Sequence, residues 1–399
     1  VVLSTNKLFN ESEKYFENRN EDPSLKTAEY ESGESETKLR VERVLFAGPY
    51  KILAGAGLEY VSFDLNGFNS IQTTNGSAKI SYKSDIDFIK YAGFISDSRE
   101  FIDSKARIPG GVRTDATGYS QKTSNPLEQF SPRAALSYQL TKKLSLNANA
   151  GIYHQLPSYT ILGFADGFGN LQNKSQARYI RCDQLIGGLQ YNPDESSKIT
   201  LEAFSKNYSN YPLSIQKGIS LANLGSDFGV VGNESVVPVS SGRAQGIELM
   251  VQRRSASGIY GIVSITLVNS EFDSGNDKFV ASSWDNNLFT TITAGKKWSR
   301  NWETGFKWRY VTGRPYTPYD VATSSIKSNW DATGVGILDY SKLNTQRVPD
   351  FHQLDVRVDK SWFFNKWSLN LYLDIENLYN FKSKEPDILF VRTDANGKP

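Results

Sequence analysis

The chain has 399 residues and a formal net charge of +2, with 39% hydrophobic, 13% aromatic and 22% charged residues. A charge so close to zero gives no electrostatic case for binding nucleic acid. The single cysteine and single methionine exclude a disulfide framework and a cysteine-built metal site. No apolar run approaches the roughly 18 residues that a membrane-spanning helix needs.

Residues 1–38 are polar and acidic, and they contain the runs ESEKYFENRNEDPS and EYESGESE. Clustered charge with low hydrophobicity is typical of an exposed segment. We therefore predict an acidic polar loop over residues 1–38, which would be an extracellular loop if the remaining chain forms a barrel.

From Leu39 onward the chain repeats long segments in which apolar and polar residues alternate. Examples are KLRVERVLF with KILAGAGLEYVSF, SPRAALSYQL with KLSLNANAGIYHQL, and GRAQGIELMVQRR with IYGIVSITLVNSEF. Alternation with a period of two predicts strands, each with one apolar and one polar face. About 14 such strands can be distinguished, with boundaries accurate to a few residues.

The alternation is clearest in residues 351–380, which read as a β-hairpin. On its second strand the apolar face comprises Leu369, Leu371 and Leu373. The polar face comprises Asn370, Tyr372 and Asp374. Each strand is about 10 residues long, the length at which a tilted strand crosses a bilayer. Aromatic residues gather at the turn, where an interfacial girdle would lie.

Tight and long connections alternate along the chain. The long ones are predicted at residues 66–84, 157–177, 209–241, 273–285 and 312–350. Short periplasmic turns and long extracellular loops explain this alternation, whereas a propeller would show a fixed blade period and a sandwich shorter strands. We predict an all-β, transmembrane antiparallel up-and-down β-barrel over residues 39–380, with residues 381–399 beginning a final, incomplete loop or strand.

Charged residues occupy the polar face of the hairpin: Asp355, Arg357, Asp359, Asp374 and Glu376. Two interpretations compete for them. The carboxylates could form a glycosidase pair. Alternatively, they face a polar barrel lumen, which the alternation itself predicts. We favour the lumen and expect no catalytic residues.

Other reactive side chains give weak signals. His154 and His352 stand at strand ends without a neighbouring ligand, so no metal site is predicted. Cys182 is interpreted as a small buried hydrophobe rather than a nucleophile. Neither GxxxxGK[ST] nor GxGxxG occurs, and no cofactor is expected.

The better candidate residues lie in the long loops. The run TGRPYTPYD places Arg314, Tyr316 and Tyr319 beside prolines, and GFADGFGNLQ places Phe164 and Phe168 among glycines. Aromatic faces with an arginine suit sugars, peptides or metal chelates. The alternative is that these aromatics belong to the interfacial belt or to loop packing.

Several of these segments resemble TonB-dependent outer-membrane receptors, most closely those of the Bacteroidetes type. The resemblance rests on residues 130–159, on GRAQGIELMVQRR, on VTGRPYTPYD and on LDVRVDKSWFFNKWSLNLYLDIENLYN. It implies a Gram-negative outer-membrane importer for a siderophore, glycan or peptide. It also implies outer-membrane lipid and TonB as partners, with a surface lipoprotein or other outer-membrane proteins as further candidates.

The resemblance also implies features that this sequence does not show. Such receptors are similar in having an N-terminal plug, a TonB box, a 22-stranded barrel and usually an aromatic C-terminal residue. No plug-like pattern precedes the strands here, and the sequence ends on DANGKP. We therefore expect a barrel portion truncated at both ends, with TonB bound through a missing N-terminal region.

Two other functions stay open on the sequence. The first is a passive porin or a structural barrel subunit of an outer-membrane assembly. The second is a soluble β-rich carbohydrate-active enzyme, which would need an apolar interior and a polar exterior. Extraction without detergent would favour the enzyme.

Overall fold

The computed structural model describes residues 1–15, 20–48, 50–73, 76–101, 105–224, 233–254, 258–274, 278–333 and 336–389. Strands dominate these residues, and fifteen of them are eight residues or longer. The strands are β1 (Val2–Tyr15), β2 (Lys26–Ala47), β3 (Tyr50–Thr73), β4 (Gly76–Phe101), β5 (Ala106–Thr117), β6 (Ser131–Gln139), β7 (Leu144–Gln155), β8 (Ile180–Tyr191), β9 (Ser197–Ser214), β10 (Ile219–Ser220), β11 (Val236–Arg253), β12 (Ile259–Asp273), β13 (Phe279–Ala281), β14 (Leu288–Lys297), β15 (Trp302–Val311), β16 (Pro315–Tyr316), β17 (Gln346–Arg347), β18 (Phe351–Phe363) and β19 (Ser368–Ile375).

Helices are short and lie in the connections between strands. They are α1 (Gln121–Ser124), α2 (Tyr159–Leu162), α3 (Leu221–Leu224), α4 (Val321–Ser324) and α5 (Lys327–Thr333), with 3-10 turns at Pro23–Leu25, Ser299–Asn301 and Tyr340–Lys342. Among the described residues, no helix is both long enough and apolar enough to cross a membrane.

Each long strand pairs antiparallel with the next long strand along the chain, from β1 with β2 to β18 with β19. The short strands β10 and β13 pair antiparallel with the ends of β9 and β12, and β16 pairs with β17 in a separate small sheet. This up-and-down order confirms the predicted fold class. No pairing between described residues joins β1 to β19.

The loop prediction for residues 1–38 is wrong. β1 pairs with β2 from Val2 opposite Arg40 to Tyr15 opposite Lys26. The ammonium of Lys26 also lies 2.5 Å from Glu13 and 2.7 Å from Glu29, linking the two strands at the end of the hairpin. The ladder comes from the backbone, so a ribbon that is polar on both faces pairs without the apolar alternation that sequence analysis detects.

Two predicted loops are partly strand as well. β3 and β4 continue through the predicted loop at residues 66–84, with Thr73 opposite Gly76. The predicted loop at residues 209–241 is shortened because β9 runs to Ser214 and β11 begins at Val236. With 24 and 26 residues, β3 and β4 are far longer than the about 9–11 residues of a bilayer crossing. Their ends therefore project beyond it.

The two faces of the sheet differ as the alternation predicts. Leu371 and Leu373 are 56% and 62% exposed on the aliphatic face of β19. On the other face, Arg357 lies opposite Asp374, at 3.7 Å, and also pairs with Asp359 at 2.8 Å. One face of the hairpin thus carries the apolar side chains, and the opposite face carries the paired charges.

The main hydrophobic cluster lies where the long strands meet the connecting loops. Strand residues Val61, Phe63 and Phe88 pack there against loop residues Tyr119 and Leu162, and all five are almost fully buried. The Tyr119 hydroxyl donates to the Leu162 carbonyl at 2.5 Å. This cluster fixes two of the loops, residues 118–130 and 156–179, onto the sheet.

Candidate ligand-binding site

The long connections converge at one end of the sheet and enclose a cavity of about 670 Å³. Most of the wall is apolar or aromatic, as is usual for small-molecule sites. The residues that contact the cavity are Gln155, Leu156, Pro157, Ser158, Ile161, Ile180, Tyr211, Pro212, Leu221, Leu224, Ser283, Trp284, Arg314, Pro315, Tyr316, Thr317, Tyr319, Leu338, Asn344, Pro386 and Asp387.

The loop at residues 312–350 is clamped at its base. The carboxylate of Asp350 accepts from the Tyr310 hydroxyl at 2.5 Å and from the Gly313 amide at 2.9 Å. These two bonds hold the pKa of Asp350 below its ordinary value, the tyrosine bond being the larger cause. A Cβ at Gly313 would lie 1.6 Å from the Val348 carbonyl oxygen, so only glycine allows the two ends of this loop to approach so closely.

A second contact ties this loop to its neighbour. Arg347 donates to the Asp285 carboxylate at 2.6 Å and to the Asp285 carbonyl at 2.5 Å. Asp285 is 2% exposed and also accepts from the Ser270 amide at 2.7 Å. A buried carboxylate needs such compensation, so Arg347 fixes the loop relative to β12.

Asn344 joins the loop to two others at the cavity wall. Its amide nitrogen donates to the carbonyl oxygens of Asn223 and Ala281, both at 2.8 Å. Its own backbone amide donates to the Thr317 hydroxyl at 3.1 Å. Asn344 has a φ of 53°, a left-handed conformation that asparagine tolerates better than most residues. Sequence analysis missed this residue.

On the opposite wall, the segment around α2 is anchored to charged strand residues. The Tyr159 hydroxyl donates to the Glu36 carboxylate and accepts from the Lys90 ammonium, both at 2.5 Å. Burial and the neighbouring Glu36 carboxylate raise the pKa of Tyr159, so its hydroxyl stays protonated. Ser158 and Ile161, on either side of Tyr159, contact the cavity. The Tyr159 contacts therefore fix this part of the cavity wall to β2 and β4.

The structure brings three of the sequence-predicted residues together. Arg314, Tyr316 and Tyr319 all contact the cavity. Pro315 and Tyr316 form β16, which pairs with β17, and Tyr319 bridges to Leu338. The guanidinium of Arg314 donates to Glu385 at 2.6 Å. The local stiffness expected from the prolines is thus reinforced by backbone pairing.

The structure does not bring Phe164 and Phe168 to this cavity. Phe168 is 94% exposed, in a turn where Asp166 accepts from the amides of Phe168 and Asn170 at 2.9 Å. Hydrogen bonds from the Asn170 side chain, together with these amide bonds, hold the pKa of Asp166 below its ordinary value. Of the five predicted loop residues, only Arg314, Tyr316 and Tyr319 therefore contact this cavity.

The predicted lumen-facing charges form a separate group on β18 and β19. Asp355 accepts from the Gln353 side chain at 2.6 Å and from the Asn377 amide at 2.9 Å. Arg357 is paired with Asp359 and Asp374, as described above, and Glu376 follows the last residue of β19. Asp355 and Asp374 make cross-strand contacts and Asp359 pairs along its own strand, an arrangement typical of a polar lumen.

Sequence analysis also missed the aromatic part of the cavity wall. Tyr211 at the end of β9 and Trp284 before β14 both pack on the buried Phe272, with ring centroids 4.7 Å and 6.0 Å away. Phe272 is 2% exposed. These residues are far apart in sequence, and only the pairing of β9, β11 and β12 brings them together.

The comparisons with known proteins agree on the fold. Residues 4–378 match the family described as TonB dependent receptor-like, beta-barrel. The chain is similar to the copper transporter OprC, with 16% identity and a TM-score of 0.64 over 96% of this chain and 56% of that one. It is also similar to the ferric-catecholate import receptor Fiu from E. coli K12, with 12% identity and a TM-score of 0.59 over 96% and 56% of the two chains.

A third similar structure is the ferric citrate transporter FecA, with 15% identity and a TM-score of 0.56 over 89% of this chain and 51% of that one. No curated protein matches the sequence. The chain spans about half the length of these solved structures. At such identities the similarity shows the fold alone.

The family match extends over nearly the whole chain, and the meander of long antiparallel strands is the fold it requires. The Bacteroidetes type stays a prediction. The chain belongs to the TonB-dependent receptor-like β-barrel family, whose members are outer-membrane transporters.

Proposed function

We propose that this chain is the barrel portion of an outer-membrane importer that captures a nutrient in the loop cavity and passes it inward with energy supplied through TonB. The observation that carries the proposal is the cavity itself, where braced loops hold Arg314, Tyr316 and Tyr319 together. A rigid, concave, largely apolar site loses little conformational entropy when it binds a ligand. Energy coupling and the TonB contact are inferred from the family for the whole protein.

The neighbours' names suggest metal and ferric-chelate ligands for those proteins, and a siderophore, a glycan and a peptide are all candidates here. A surface lipoprotein or another outer-membrane protein is a further candidate partner. We also infer that the chain is not an enzyme, because the hairpin carboxylates Asp359 and Asp374 are paired with Arg357 and the matching family is one of receptors.

The experiment compares nutrient depletion by bacteria that carry or lack the gene. Cells with the intact protein should remove at least one compound from a complex medium, and the deletion strain should leave it behind. A protonophore should abolish removal, because TonB-driven import requires the proton gradient. Cells that carry Tyr316→Ala with Tyr319→Ala should behave like the deletion strain while keeping the protein in the outer membrane.

The main alternative is a passive porin or a structural barrel subunit. A porin would let the same compound pass in the presence of the protonophore. A structural subunit would show no compound whose removal depends on the gene. Either result contradicts the proposed import. Tyr340→Ala, an exposed tyrosine of the same loop outside the cavity, is the matched control and should leave depletion unchanged.

A further inference from the structure

We propose that the loop cavity takes an uncharged, largely apolar ligand with flat ring faces and few hydrogen-bonding groups. This inference rests on the proposed import function and specifies the chemical class of its cargo. It separates the site from one built for a multiply charged ferric chelate or for an oligosaccharide. Three properties of the described wall lead to it.

The first property is charge. Of the described residues that contact the cavity, only Arg314 and Asp387 are charged. The Arg314 guanidinium already donates to Glu385 at 2.6 Å, and its side chain is 28% exposed. An anionic chelate would have to compete with Glu385 for Arg314 and would also meet Asp387. This wall therefore gives no net attraction for an anion. A neutral ligand avoids the free-energy cost of meeting the Arg314–Glu385 pair and Asp387.

The second property is the state of the polar side chains. The Ser283 hydroxyl donates to the Ala222 carbonyl at 3.1 Å, and the Thr317 hydroxyl bonds to Asn344 at 3.3 Å. Both donors of the Asn344 amide are used by other loops. An oligosaccharide buries many hydroxyls, each of which needs a partner. The side chains of Ser283, Thr317 and Asn344, which could otherwise serve such hydroxyls, are engaged in holding the loops together.

The third property is the aromatic surface. Tyr211 and Trp284 rest on Phe272, while Tyr316 and Tyr319 are braced by backbone pairing across the cavity. Within the described part of the chain, the hydroxyls of these tyrosines and the Trp284 indole make no side-chain hydrogen bond, so a few donors remain for a ligand with few polar groups. The aliphatic part of the wall consists of Leu156, Ile161, Ile180, Leu221, Leu224 and Leu338. Fixed rings beside aliphatic side chains suit the flat face of an apolar ring system.

The test measures direct binding to the intact full-length protein in lipid nanodiscs. Three radiolabelled probes are compared: a neutral steroid, a ferric tris-catecholate and maltohexaose. Empty nanodiscs correct for partition of the steroid into lipid. We expect saturable steroid binding that is at least about tenfold tighter than binding of either other probe. Tighter binding of the chelate or the sugar, or no saturable steroid binding, would overturn the inference.

Variants show whether binding occurs in this cavity. Tyr316→Ala and Trp284→Ala, made separately, should each weaken steroid binding by about tenfold or more, the range for losing an aromatic anchor. Arg314→Gln should change it less than about threefold, and Tyr340→Ala should leave it unchanged. Steroid affinity unaltered in both aromatic variants would contradict the assignment. The outcome is independent of uptake: selective steroid binding without energy-dependent import would refute the proposed function but keep this site.

Discussion

Arg347 and Asp285 form a partly buried ion pair with an N–O distance of 2.6 Å, and this pair connects the longest loop to the start of the neighbouring strand. Asp285 is almost fully buried, with a side chain 3% exposed, whereas that of Arg347 is 37% exposed. The Asp285 carboxylate therefore needs Arg347 to compensate its burial, whereas the Arg347 guanidinium is partly solvated and needs Asp285 less. This asymmetry makes the pair testable.

Removing Arg347 should loosen the loop more than removing both partners. We expect Arg347→Met to cost about 1–3 kcal/mol in the free energy of local opening, because the buried Asp285 carboxylate loses its compensation. The double change Arg347→Met with Asp285→Asn should cost less than Arg347→Met alone, and so less than the sum of the single changes. Hydrogen exchange of the amides at residues 313–320 measures the opening. Additive costs would show that the two side chains act independently.

A lower pH should open the base of the same loop through Asp350. Its pKa is lowered below the ordinary value of 3.8 by the Tyr310 hydroxyl and the Gly313 amide. A lowered folded-state pKa means that its stabilisation is fully present above the ordinary value and is lost as the pH falls through the lower, folded one. Spin labels across the loop base should separate at pH values below 3.8 and stay close at neutral pH.

Asp350→Asn is the variant that checks this interpretation. It keeps an acceptor for the Tyr310 hydroxyl but cannot titrate, so the acid-induced separation should be much smaller. Asp339→Asn, in the same loop but away from its base, is the control. The pKa of Asp339 is also lowered, mainly by the Ser341 hydroxyl. Equal effects of both changes would mean that the loop base does not respond through Asp350.

Alternation in the sequence predicts much of this fold, because one apolar face per strand leaves a signal of period two. The β18–β19 hairpin and the tight turn between β6 and β7 follow directly from that signal. The pairing of β1 with residues 26–40 of β2 does not, since these paired segments are mostly polar on both faces. Backbone pairing that buries no side chains does not require apolar and polar residues to alternate, so the sequence pattern does not reveal it.

The candidate site likewise combines residues that the sequence revealed with residues that it did not. Arg314, Tyr316 and Tyr319 lie within one short run, so their local crowding was visible in the sequence. Tyr211 and Trp284 became part of the site only through packing on Phe272, which no local pattern encodes. Asn344 had one available signal, the tolerance of asparagine for positive φ, but the chain has many asparagines and nothing local selects this one.

The two faces of β19 should respond differently to charge. Leu371→Arg should cost about 2–4 kcal/mol if position 371 lies near the bilayer midplane, whereas Asp374→Asn should cost much less. A spin label at residue 371 should be quenched by a lipid-soluble agent and one at residue 374 by a water-soluble agent. The run of leucines on the face of Leu371 and the ion pair of Asp374 with Arg357 on the other face support this assignment. Quenching of residue 374 by the lipid-soluble agent would reverse the two faces.

The loop cavity should open to the cell exterior, and the tight turns should lie in the periplasm. Alternation of short and long connections gives this orientation, because outer-membrane barrels have short periplasmic turns and longer extracellular loops. Epitope tags within residues 209–241 or 312–350 should be detected by antibody on intact cells. Tags within residues 192–197 or 361–366 should be detected only after the outer membrane is permeabilised.

The tag sites have to leave the sheet and the cavity intact for this result to be informative. Within the long loop, the exposed positions at residues 327–328 lie in α5 and do not contact the cavity. In the tight turn between β18 and β19, Phe364 stacks on Trp367 with ring centroids 4.0 Å apart, so a tag fits best between them, at residues 365–366. Antibody binding to that turn on intact cells would invert the orientation and place the cavity at the inner rim, where it could not capture a nutrient from outside.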